Sequence, residues 1–404
     1  MGSCAVAAWT AICVPATVAN AQWRTMTLAD VLAGARQQAP RIVSARLAVD
    51  EARGRLPGAT VRFQTNPELE ASLGNREGPD SRFTDFEIGV GQSFEPGARR
   101  SERIAAANAA IAQSSANVDE TTREVLRLAA GAYFRVLHAQ ERIRLLGATQ
   151  ELAATVHSVA DRRFRAGDIA VLDVNIARAS LARVRAEREA AEALRALAVG
   201  ELQQLLRTED DIRVAGELTF GSEADLTLLL QAASERPELR VLEAAVQEAE
   251  AEARLGGTFA RPDYGVGVRY AREEGDQVVL GSVRMTLPWF SKGQALQAVG
   301  TARASRLRAE LAAARSRVQI EVRTAFEAYS RRTASVRLLE RDAIPGLDEN
   351  DALTTRSYEA GQLGLPELLL IRREILDTRS QYLDASLEAA LARIDLDASA
   401  GVLR

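Results

Sequence analysis

Four landmarks of this 404-residue chain occur twice, at nearly constant spacing. Phe164-Arg165-Ala166-Gly167-Asp168-Ile169 returns as Tyr358-Glu359-Ala360-Gly361-Gln362-Leu363, an offset of 194. Phe94 and Gly97 return as Phe290 and Gly293, an offset of 196. Asn66-Pro67-Glu68-Leu69 returns as Arg261-Pro262-Asp263-Tyr264 (offset 195), and Ala39-Pro40-Arg41-Ile42 as Arg236-Pro237-Glu238-Leu239 (offset 197). This register of landmarks is a tandem duplication, and its period is too long for a solenoid. The expected units are 22–216 and 217–404. Each has one layout: short helix, two strand-like segments, very long helix, glycine tip, helix back.

The stretch from Gly97 to Arg236 holds no proline before Arg236. Within it Ile104, Ile111, Val118, Val125, Ala132, Ala139, Leu146, Ala153 and Ala160 fall seven apart, all apolar. A seven-residue period is that of a left-handed supercoil. A helix over 97–165 would be roughly 100 Å long, at about 1.5 Å per residue. After the tip at 166–170, Ala177, Val184, Ala191, Ala198 and Leu205 keep the same spacing, so a return helix is expected over 171–207. The second unit predicts a long helix over 293–357, with Ala304, Leu311, Val318 and Ala325 in the seam and a kink or short break at Pro345-Gly346. Its tip falls at 360–366 and its return helix at 367–402. Abundant alanine lets such helices lie close together, side by side. Heptads alone also fit a simple solvated coiled coil.

Between these helices the period changes to two. Leu69, Ala71 and Leu73, then Phe86, Ile88 and Val90, alternate with polar or glycine residues across a hairpin over 67–94. Tyr264, Val266, Val268 and Tyr270, then Val279, Val283, Met285 and Leu287, do so over 262–288. About ten residues of alternating apolar character is the weak signature of a membrane β-strand. Four strands cannot close a barrel, and open edges are not tolerated in lipid. Three chains would supply twelve strands and two would supply eight, which leaves almost no lumen. Two hairpins capping a soluble coiled coil is the reading that needs no membrane.

Residues 1–21 read as an export leader: Cys4 to Ala19 is apolar with few interruptions, and Ala19-Asn20-Ala21 is a small-x-small cleavage site. Met1-Gly2-Ser3 lacks the usual positive charge, which suits a misplaced start codon. Cys4 and Cys13, the only cysteines, lie inside this segment without a good lipobox, so neither a disulfide nor a lipid anchor is expected. No other apolar run is long enough for a membrane helix. A net charge of −4 gives no electrostatic case for nucleic acid. His138 and His157 are the only histidines and lack metal-ligand spacing, so neither a metal site nor a cofactor is expected. No catalytic triad, phosphate loop or dinucleotide fingerprint stands out, which makes an enzyme the weakest class.

The order hairpin, long helix, glycine tip and return helix, given twice over 27–404, resembles the TolC-like outer-membrane factor family. The segments Arg163 to Val174 and Ser357 to Leu368 look like its periplasmic turns. The corner Gln92-Ser93-Phe94-Glu95-Pro96-Gly97, with Pro288-Trp289-Phe290 in the second unit, resembles the CzcC-like subgroup serving cobalt–zinc–cadmium pumps. The resemblance implies a mainly α fold with a β-barrel part: a homotrimer with a twelve-stranded outer-membrane barrel, four strands per chain, and a twelve-helix periplasmic tunnel. It implies a periplasmic adaptor and an inner-membrane pump of the resistance–nodulation–division class as partners, with the chain itself a passive efflux duct. Multidrug efflux and type I protein secretion use the same architecture, and a soluble periplasmic scaffold is the reading outside it. Gly167, Asp168, Ile169, Gly361, Gln362 and Leu363 would form the docking rim; a plain helical hairpin turn is the alternative. Asp173 and Glu367 match the family's acidic tunnel constriction, where a carboxylate ring would favour cations. Leu370 departs from that pattern, and a solvated first-turn acid is the other reading of both acids.

Overall fold

The computed structural model describes residues 24–78, 82–221 and 223–403; the expected leader at 1–21 lies outside them. Nine helices and six strands are seen among these residues. The first repeat contains β1 (Arg24–Met26), α1 (Leu28–Gln38), α2 (Pro40–Thr60), β2 (Glu68–Glu77), β3 (Arg82–Phe94), α3 (Gly97–Arg165), α4 (Val171–Leu206) and β4 (Ile212–Val214). The second contains α5 (Leu226–Ala233), α6 (Pro237–Thr258), β5 (Asp263–Glu273), β6 (Asp276–Thr286), α7 (Gln294–Asp342), α8 (Leu347–Glu359) and α9 (Leu365–Ser399).

Local chemistry sets the boundaries. Thr27 and Asp30 cap α1 reciprocally: Asp30 N–H donates to Thr27 Oγ1 at 3.3 Å, and Thr27 N–H to Asp30 Oδ2 at 2.9 Å. Pro40 and Pro237 open α2 and α6 in the same first-turn position, where a missing N–H costs nothing. The long helix α3 is unbroken over 69 residues. Its counterpart is interrupted at Pro345-Gly346, where a break is expected. α7 stops at Asp342, a 3₁₀ turn occupies Ile344–Gly346, and α8 resumes at Leu347. Pro345 has no N–H for the helical ladder, and its ring clashes with the preceding turn. α9 opens at Leu365 rather than 367, with Pro366 in its first turn, and ends at Ser399 rather than 402.

Four helices stand abreast in each half of the molecule. Near the sheet the order is α2, α3, α6, α7; towards the tips α4 replaces α2 beside α3, and α9 replaces α6 between α3 and α7. Along α3, Val125, Ala132, Ala139, Leu146, Ala153 and Ala160 are buried, and Ile104, Ile111 and Val118 are half-buried. Ala177, Val184, Ala191 and Ala198 bury the facing seam of α4. This alanine-rich contact follows from the heptad.

A waist surrounds the middle of α3 and α7. Here β1 pairs in parallel with β4, and α1 and α5 lie against the long helices. Val31, Ile42, Leu126, Val136 and Leu202 are part of the cluster beneath α1, and Leu239, Val322 and Leu396 of the one beneath α5. Two tyrosines 196 residues apart fix the connector between repeats: Tyr133 Oη donates to the Ala215 carbonyl at 2.8 Å, and Tyr329 Oη to the Phe220 carbonyl at 2.9 Å. Both rings are buried.

β2, β3, β5 and β6 form one antiparallel sheet in that order, projecting beyond the helices. The two hairpins join through β3 and β5, leaving β2 and β6 as free edges.

Candidate functional site

The sheet separates two chemistries. One rung on one face reads Leu69, Val90, Val268; another reads Ala71, Ile88, Tyr270, Val279. These rungs continue to Val266 opposite Val283 and Tyr264 opposite Met285. The large apolar side chains here are strongly exposed, Leu73 at 78% and Val283 at 83%. A contiguous apolar face of this kind marks contact with another surface or a membrane. The strands contain 10 to 13 residues, the length that spans a bilayer when tilted.

The opposite face is polar and short-chained. Its rungs read Glu70, Gly89, Arg269, Leu280 and Glu68, Gly91, Gly267, Ser282. Glu87 and Arg269 form an ion pair at 3.0 Å across the inter-repeat seam. At Gly267 an added Cβ would lie 2.9 Å from Ser282 Oγ and 3.2 Å from the Val90 carbonyl oxygen. This face is therefore the more crowded of the two.

At the other end of the molecule each long helical stretch closes in the same way. Gly167 has φ +84° and Gly361 φ +72°, the left-handed region that glycine enters without a β-carbon penalty. Gly167 N–H donates to Phe164 O and Asp168 N–H to Arg163 O, both at 2.9 Å; Gly361 donates to Tyr358 O at 3.1 Å and Gln362 to Ser357 O at 2.9 Å. Paired bonds of this pattern satisfy the last carbonyls of a helix. Gly167, Asp168, Gly361 and Gln362 are exposed. Ile169 and Leu363 turn inward onto a shared cluster of Val156, Ala160, Val174, Ala177, Leu365 and Leu368. The six rim residues thus divide into four at the solvent edge and two that pack the tips together.

The two acids at the tips differ. Glu367 Oε2 accepts the Gly364 N–H at 3.0 Å, so its carboxylate is engaged in capping α9. Asp173 occupies the first turn of α4, half-buried, with no hydrogen bond or ion pair from its side chain among the described residues. Leu370 is 66% exposed. Among the described residues no three His, Cys, Asp or Glu side chains gather as a metal site would require. No helix of the described residues is long and apolar enough to cross a membrane.

Sequence reasoning passed over the polar contacts between repeats, one of which involves a histidine. His138 on α3, buried, has Nε2 2.7 Å from Asp384 Oδ1 on α9, and Arg142 Nη1 reaches the two Asp384 oxygens at 2.9 and 3.1 Å. The hydrogen bond from His138, with the Arg142 charge, holds the Asp384 carboxyl below its usual range despite partial burial. The rarity of histidine in the chain was the available signal.

Residues 31–207, the greater part of the first repeat, match the family model described as outer membrane efflux protein. The chain is 26% identical over 341 residues to the cobalt-zinc-cadmium resistance protein CzcC of Cupriavidus metallidurans, covering 80% of this chain and 78% of that protein. Among solved structures it resembles CusC, with a TM-score of 0.76 at 17% identity, covering 92% of this chain and 91% of that one. It also resembles the open state of the MtrE outer membrane channel of Neisseria gonorrhoeae, with a TM-score of 0.75 at 18% identity, covering 93% and 89%. At such identities the structural likeness establishes the fold.

Proposed function

We propose that this chain is a member of the outer membrane efflux protein family, whose model its residues 31–207 match, and is the outer-membrane duct of a tripartite exporter of divalent heavy-metal cations. One observation carries the duct: a four-stranded sheet, apolar on one face and polar on the other, ends in two free edges. Lipid does not tolerate free edges, so copies must share one closed barrel. Three copies give twelve strands and continue into twelve helices, a conduit anchored in the outer membrane and extending through the periplasm. The heavy-metal cargo rests on the likeness to CzcC.

The duct performs no chemistry. Cargo moves through water along the polar face of the sheet and between the helices, driven by an inner-membrane pump of the resistance–nodulation–division class. The exposed rim at Gly167, Asp168, Gly361 and Gln362, braced from within by Ile169 and Leu363, would meet a periplasmic adaptor. Asp173 is the stronger candidate for a cation-selective constriction, because its carboxylate is uncommitted while Glu367 caps its own helix.

The test is growth of a strain lacking the gene, with and without the restored chain, in zinc, cobalt, cadmium and copper and in a panel of dyes and antibiotics. The expected result is lost tolerance to at least one divalent metal, restored by the intact gene. Equal tolerance to every metal with sensitivity to the dyes would replace the cargo and keep the duct.

A further inference from the structure

The free edges β2 and β6 can be matched residue by residue, because the duplication supplies a template for their meeting. Inside one chain the repeats already join by a strand seam, β3 against β5. Glu68 pairs with Gly91, and Gly91 with Gly267. The repeat counterpart of Glu68 is Asp263, 195 residues on. Passing from one hairpin to the next therefore advances the ladder by four residues, from 263 to 267. We propose that β6 of one copy pairs with β2 of a neighbouring copy in the register this step dictates. The proposal rests on the reading above that copies of the chain share one barrel.

Asp263 pairs with Thr286, and the residue four beyond Glu68 is Ser72. Thr286 thus lies opposite Ser72 of the neighbour, Met285 opposite Leu73, and Arg284 opposite Gly74. The directions agree: β2 leads away from the helices and β6 returns to them, so the new pair is antiparallel like every other pair in the sheet. The faces agree too, since Met285 and Leu73 are both exposed on the apolar side. Any slip by one residue would turn apolar side chains into the lumen. Only slips by two remain as rivals.

An arginine facing a glycine tells against those. In the internal seam Arg269 stands opposite Gly89. A Cβ on Gly89 would lie 3.8 Å from Arg269 Cβ and Cγ, ordinary van der Waals contact, so the arginine packs directly over the glycine. At the outer seam Arg284 stands where Gly89 stands, because Gly265, 195 residues after Glu70, pairs with Arg284 as Glu70 pairs with Gly89, and the same offset makes Gly74 the counterpart of Arg269. The same rung again places an arginine against a glycine, with the strands exchanged. Arg284 has no ion-pair partner among the described residues, and an added Cβ on Gly74 would meet nothing within 4 Å. A slip by two would set Arg284 against Arg76, a like charge, or against Ser72, whose side chain fills the gap.

Disulfide trapping in outer membranes tests the register in the full chain, with Cys4 and Cys13 replaced by alanine. Directly opposite strand residues have Cα atoms about 4.5–5.5 Å apart, within disulfide reach, whereas diagonal neighbours fall at about 7–8 Å. Leu73→Cys with Met285→Cys is expected to give a reducible ladder of dimers and trimers, at least about fivefold stronger than Leu73→Cys with Val283→Cys or with Leu287→Cys. Stronger trapping in either shifted pair overturns the register. The mass of each unoxidised variant in detergent separates the two readings. A trimer that traps through none of the pairs overturns the register alone, and a monomer removes the shared barrel along with it.

Discussion

The two repeats fold to one plan and differ in the helix that runs from sheet to tip. In the first, a helix of 69 residues runs unbroken from sheet to tip. In the second, Pro345 divides the corresponding length into α7 and α8. In the first the tip acid Asp173 is uncommitted, and in the second Glu367 caps its own helix. Duplication thus gave two copies of one lever, and divergence left one rigid and the other jointed. Breaking the rigid copy should be costly and mending the jointed one cheap. Ala139→Pro, at a buried position in α3, is expected to cost about 3 kcal/mol or more and to abolish the membrane-inserted oligomer on semi-native gels. Pro345→Ala is expected to move stability by less than about 1 kcal/mol, since it restores a helical N–H at an exposed break. Equal melting of both variants would remove the distinction.

The waist is where the repeats remain alike, so matched changes there should have matched effects. Tyr133→Phe and Tyr329→Phe each remove one hydroxyl that holds the connector at a backbone carbonyl. Each is expected to destabilise by about 1 kcal/mol, the net value of one buried hydrogen bond, read from urea unfolding. The double variant should lose about 2 kcal/mol if the sites act independently. A loss confined to one tyrosine would show that only one repeat anchors the connector.

The contact between repeats has a smaller, pH-dependent effect. His138 and Arg142 of the first repeat hold Asp384 of the second ionised below its ordinary range. A carboxyl depressed in the folded state stabilises above its unfolded value, near pH 4, and loses that contribution as pH falls through its folded value. Asp384→Asn is expected to cost about 0.5–1 kcal/mol at pH 7, a modest figure because the side chain is half exposed to solvent. The gap between variant and parent melting temperatures should persist down to about pH 4 and shrink below it. A gap that widens with acid would mean the tie is not ionic.

These elements were unequally legible in the sequence. Heptad spacing placed the seam of α3 because a seven-residue period fixes which face is buried, and strict alternation placed both faces of the sheet. Pro345 gave the joint because its chemistry is local. The parallel pair β1–β4 was missed: three-residue strands are too short to show a period, and they meet only after the whole first repeat has folded. Tyr133 and Tyr329 share the 196-residue spacing of the corner landmarks, so the duplication could have exposed them; their partners are carbonyls, which leave no mark in a sequence. The tip acids read alike as first-turn carboxylates, and only the bond from Gly364 to Glu367 separates them.

That separation yields the smallest effect on stability and the finest comparison of the repeats. Glu367→Ala removes an acceptor from the start of α9 and is expected to cost about 0.5–1 kcal/mol, as loss of a helix cap does. Asp173→Ala removes no such bond and should leave melting within about 0.5 kcal/mol of the parent. In planar bilayers the order should reverse. If Asp173 faces the constriction, three carboxylates disappear from one ring, and single-channel conductance or its dependence on divalent cations changes more than in the Glu367 variant. Paired melting and conductance measurements therefore distinguish a capping acid from a gating acid. Unchanged currents for Asp173→Ala would assign both residues to their helix termini.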